Sequence, residues 1–140
     1  MSAASDYLEN KVLDHVLRNT AFTQPSGLWV ALFNNTSGNA LTNLEAGTLT
    51  DEIATAGSTA YARQTASFSA AASGSATTSA TITFPTATAS WGSVTHVAIV
   101  DNATRGAGNV LFYGAVTTAK TIDTGDTFQI TSNNLTVTLA

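Results

Sequence analysis

The sequence predicts a mainly β fold, an antiparallel β-sandwich of jelly-roll-like type with about seven to eight strands and one N-terminal amphipathic α-helix. Three observations lead there. Apolar runs of strand length recur from Leu28 to Leu139, each bounded by Gly, Asn, Asp or Pro. These runs are of two kinds, apolar on both alternating faces or on one face only, as two packed layers require. A helical period appears in one place, near the N-terminus.

That helix is expected over about residues 6–18, where Asp6 and Glu9 have the spacing of a capping box. Leu8, Val12, Leu13, Val16 and Leu17 then fall on one side, and Glu9, Asn10, Asp14 and Arg18 on the other. Arg18 near the C-terminal end complements the helix dipole, and Asn19-Thr20 breaks the pattern.

Strands follow. Residues 28–33 (LWVALF) are apolar on both faces, which demands cover on both sides. Residues 94–100 and 110–116 behave alike, and the turn-rich segment 101–108 between them predicts an antiparallel hairpin with a long loop. Ala80, Ile82 and Phe84 alternate with Thr81 and Thr83, as in a strand with one wet face. Phe128 and Ile130, then Leu135, Val137 and Leu139, alternate in the same way, with turns at residues 123–126 and 132–134. Two segments carry no clean period: residues 37–60, and the low-complexity run 69–78. A long aperiodic segment in a compact chain is often functional, so residues 37–60 are a candidate arm for gripping a neighbour.

Composition narrows the function. Residues 1–140 suit one domain able to bury its own core, and the chain lacks cysteine, so packing must supply its stability. Charged residues are 10% of the chain, against about 25% in an average soluble domain. Between Arg63 and Asp101 there are 37 residues without a formal charge. Five Lys and Arg with a net charge of -4 cannot build a phosphate-binding stripe, which argues against nucleic acid. The N-terminus lacks the pattern of a signal peptide, and no apolar run approaches the roughly 18 residues of a membrane span. The expectation is a chain that works without a membrane. A surface so poor in charge invites association, the mark of a structural protein set against neighbours.

Catalytic and metal-binding patterns are sparse. His15 and His96 have no partner at ligand spacing, so His96 reads as a half-buried strand residue held by a neighbour. Asp123 and Asp126 read as turn formers rather than Ca²⁺ ligands. Glu45, Asp51 and Glu52 lie in the aperiodic segment with no sign of a carbohydrate cleft. No enzyme activity and no cofactor are expected. Among the aromatic residues, Trp91, flanked by Ser90 and Gly92, is expected to be the most exposed.

Several segments together, SDYLENKVLDHVLRNT, LWVALF, YARQ, ITFPTATASWGSVTHVAIVD, NVLFYGAV, TGDTFQI and LTVTLA, resemble a family of small tailed-bacteriophage virion proteins of structural or tail-fibre-like kind. The resemblance runs from Ser5 to Leu139 and contains no catalytic motif. It implies a non-enzymatic part of the virion, assembled in the host cytoplasm. The absence of heptads and shaft repeats tilts the expectation toward a capsid decoration protein that binds the major capsid protein, with homo-oligomers expected. The alternatives are a tail-tip, baseplate or fibre-attachment role with tail proteins as partners, and a carbohydrate-binding module. The candidate partner interface comprises Leu8, Val12, Val16, Leu41, Leu44 and Trp91.

Overall fold

The computed structural model describes residues 3–139. Its strands are β1 (Ala3–Ala4), β2 (Trp29–Phe33), β3 (Gln64–Thr65), β4 (Ser75–Thr77), β5 (Ile82–Thr83), β6 (Gly92–Val100), β7 (Val110–Ile122), β8 (Gln129–Ile130) and β9 (Thr136–Thr138). Two helices accompany them, α1 (Asp6–Leu17) and α2 (Ala40–Glu45). One antiparallel sheet has the order β1-β7-β6-β2-β3, and β4-β9 and β5-β8 form two short ribbons. The expected mainly β, antiparallel fold with its N-terminal helix is what the chain adopts.

The sheet is built around the β6–β7 hairpin anticipated from the turn-rich segment at residues 101–108. β2 lies on the other side of β6, with Val30 opposite Ile99 and Leu32 opposite Val97. Its two-sided apolar pattern has the expected consequence, since four of its five residues are buried. One sheet face carries Val30, Leu32 and Val94, which meet Ile82 of the β5–β8 ribbon and Phe84 and Phe128 beside it. The opposite face carries Ala31, Phe33, Ala98 and Val100, which α2 covers through Leu44. The second layer is thus two separate ribbons. Pro85 and the Ser/Thr-rich stretches keep their strands to two or three residues.

β1 holds α1 against the edge of the sheet. Ala3 and Ala4 pair with Tyr113 and Phe112, and the Ser5 amide donates to Leu111 O at 3.0 Å. The Ser5 hydroxyl donates to Val110 O and accepts from the Leu8 amide. Ser5, not Asp6, is therefore the helix cap. Its extended backbone ends β1 and opens the helix together. Asp6 and Glu9 then place negative charge in the first turn.

Residues 37–60 fold back on their own sheet. Leu44 and Ile53 are in the core, and Ile53 N donates to Leu32 O at 3.0 Å. Most of the buried residues there come in two short groups, Ala40 and Leu44 one turn apart on α2 and then Asp51, Glu52 and Ile53 in succession, so no single period runs through the segment. The low-complexity run 69–78 makes a tight turn at Ser73 and Gly74, both left-handed, and then β4.

Candidate interaction surface

α1 presents a wider apolar arc than its own sheet covers. Leu8 is buried against Ile99 and Leu111, and Val12 packs at the margin of that cluster. Farther round the helix, Leu13 is 54% exposed, Val16 70% and Leu17 75%. The polar side is self-satisfied, with Arg18 bonded to Asp14 at 3.1 Å and the Lys11 ammonium over the Tyr7 ring. Half of the apolar arc is thus core and half is open to solvent.

The six expected interface residues are divided accordingly. Val16 and Leu41 are exposed, and Val12 is half-buried. Leu8, Leu44 and Trp91 are buried in the chain's own core, which corrects the expectation that they face a partner. Trp91 is 3% exposed, its indole N–H donating to Thr59 O at 2.8 Å, with Tyr61 and Phe84 in edge contact. Its Ser and Gly neighbours permit the tight entry into β6 that turns the indole inward, with Gly92 at φ +73°. Leu13 and Leu17 lie on the apolar side read from the sequence, but period alone does not say which half of a broad arc meets the core.

Charge is confined to a few places. The 37 uncharged residues from 64 to 100 supply β3, β4, β5 and all of β6, and the uncharged residues 127–140 supply β8 and β9. Both ribbons are therefore built wholly from neutral residues. Two grooves, of about 270 and about 340 Å³, flank β9 in this layer.

Several other titratable residues have structural partners. His96 is buried, with Nδ1 2.8 Å from the Thr95 hydroxyl, and burial pushes its pKa below the usual range against the weaker opposing pull of Asp51. Asp51 accepts from the Ser37 amide and hydroxyl. Asp126 accepts from the Asp123 amide, and Asp123 from the Ser90 hydroxyl, which fixes the turn expected there. Glu52 is bound by Arg63, Tyr61 and the Gly106 amide. Burial first, and the Glu52 carboxylate second, push the Tyr61 phenol far above the usual tyrosine range. The same Arg63 donates to Asn102 O and Ala107 O, and Arg105 to Ile53 O and Glu52 O. This network locks the β6–β7 loop onto residues 52–63. The YARQ segment that holds Tyr61 and Arg63 had no readable partner in the sequence, because Glu52 lies in the aperiodic stretch.

Among the described residues, no cluster of three or more His, Asp or Glu has the arrangement of a metal site. Among the same residues, no helix is long and apolar enough to cross a membrane. A search of curated proteins finds no match. A family model described as podophage GP4 fiber I protein gp80 matches residues 3–138, and the chain belongs to that family.

Proposed function

We propose that this member of the podophage fiber I family is a non-enzymatic structural component of the virion tail, acting in fibre attachment by docking on other virion proteins. The fibre description of the family supports the tail over the capsid decoration favoured from the absence of heptads and shaft repeats. The observation that carries the docking role is the open half of the α1 arc, where Leu13, Val16 and Leu17 stand exposed on an ordered helix. Contiguous exposed apolar residues of this kind mark interaction sites. Burying them gains roughly 25 cal/mol per Å² of apolar surface before the costs of association. Leu41 and the uncharged ribbon layer extend the neutral surface. Several copies engaging at once, as homo-oligomers, make modest contacts strong through avidity.

The test is incorporation of Val16→Asp and Leu17→Asp variants into phage particles, with circular dichroism as the check on folding. Folded variants absent from purified virions support the docking role. Folded variants incorporated at the wild-type level overturn it. Immunogold labelling of intact particles tests the location: gold at the tail supports the reading, and gold spread over the head restores the decoration role.

A further inference from the structure

We propose that the C-terminal strand β9 is exchanged between copies of this chain, each copy's β9 seating on the β4 strand of another. The inference deepens the self-association in the proposed function and rests on that reading.

β9 is bound to its own chain in a way that suits exchange. Among the described residues its ladder is with β4, through Ser75–Thr138, Ala76–Val137 and Thr77–Thr136, and this ribbon makes no ladder there with the five-stranded sheet. Side-chain packing joins the two layers here, with Leu135 and Val137 against Ile99 and Leu111. That packing is incomplete: the grooves on the two sides of the strand, about 270 and about 340 Å³, both reach Ile99, Phe112 and Val137.

The occupant that fits this seat is the strand already in it. Gly74 lies so close to the terminal segment that a Cβ there would come within 2.9 Å of Leu139 O, so the seat is cut to this backbone. A second copy offers the same backbone, and an exchanged β9 makes the same contacts in trans as in cis. The equilibrium then rests on the hinge and on the local concentration of copies. The hinge is the turn at residues 131–134, where Asn133 at φ +66° takes the left-handed conformation that asparagine accepts most readily among residues with a Cβ. No formal charge lies in residues 64–100 or 127–140, so neither the seat nor the strand repels another copy.

The natural absence of cysteine makes a direct test possible. Ser75 and Thr138 face each other across the ribbon, with hydroxyl oxygens 3.5 Å apart. Full-length S75C and T138C chains, each carrying one substitution, are coexpressed, oxidised and run on a non-reducing gel, with each single variant expressed alone as the control. Exchange gives a mixed disulfide band at twice the chain mass, absent from both controls. The S75C/T138C double variant, free of exchange, closes a disulfide within one chain. Intrachain closure without any mixed disulfide in the coexpressed sample overturns the exchange. That result leaves the docking role of α1 intact, because Val16→Asp reports on it separately.

Discussion

Glu52 and Arg63 meet in a two-pronged ion pair, Nε to Oε1 and Nη2 to Oε2 both at 2.7 Å, with neither side chain exposed. The pair joins elements far apart in sequence, because Glu52 also accepts from the Gly106 amide while Arg63 donates to the carbonyls of Asn102 and Ala107. One carboxylate and one guanidinium thus fix the β6–β7 loop to the segment after α2. All polar atoms of the pair find partners, which offsets the large cost of removing two ions from water.

Arg63→Met leaves the Glu52 carboxylate buried without its counter-ion. The expected loss is about 3–5 kcal/mol of stability, read by urea or thermal unfolding. The Glu52→Gln/Arg63→Met double variant is expected to lose less than the two single losses summed, because the second change removes a charge that the first left unpaired. Strict additivity in that cycle speaks against the coupling.

Trp91→Ala removes an indole packed among Tyr61, Phe84 and Thr59. The expected cost is about 3–5 kcal/mol, as for other buried large aromatic side chains. Val16→Asp, at an exposed helix position, is expected to stay within about 0.5 kcal/mol of wild type. Thermal unfolding of the two variants side by side separates core from surface; equal losses contradict the assignment of Val16 to the open half of the arc.

His96 ties stability to pH on the acid side. Its folded pKa is lowered by burial, so below the ordinary histidine range the unfolded chain binds a proton that the folded chain resists. Stability from this group is present above the unfolded pKa of about 6.5 and is lost as pH falls through the folded value. His96→Gln should flatten the dependence of the melting temperature on pH as the pH falls below about 6.5. An unchanged slope assigns the acid sensitivity to other groups.

Gly108→Ala strains the locked loop. Gly108 has φ +83°, and an added Cβ lies 2.4 Å from Asn102 Cβ and 2.6 Å from Asp101 Oδ1. Asp101 must then move, although its carboxylate accepts from both the Asn109 amide and the Asn109 side chain. A loss of about 1–3 kcal/mol is expected in chemical unfolding, since a left-handed residue with a Cβ carries its own penalty. A variant as stable as wild type means that the loop yields and is not locked.

Local pattern was enough for much of the architecture. The period of residues 6–18, the two-sided apolarity of residues 28–33, and the hairpin around residues 101–108 are written in spacings of two to four residues, and α1, β2 and β6–β7 follow them. The family and the neutral character of the ribbons were also legible, since both are properties of composition and segment order. What the tertiary structure decided is which side of each pattern meets the chain itself. Leu8 and Val16 share one apolar arc, yet Leu8 is core and Val16 is surface, because β1 pins the first turn of α1 to β7 and leaves the last turn clear of the sheet. Trp91 sits between Ser and Gly and is nonetheless buried, because Thr59, Tyr61 and Phe84 arrive from elsewhere in the chain. Glu52 finds Arg63 across eleven residues without period. Burial and pairing of this kind depend on contacts between distant segments, and sequence spacing encodes only the near ones.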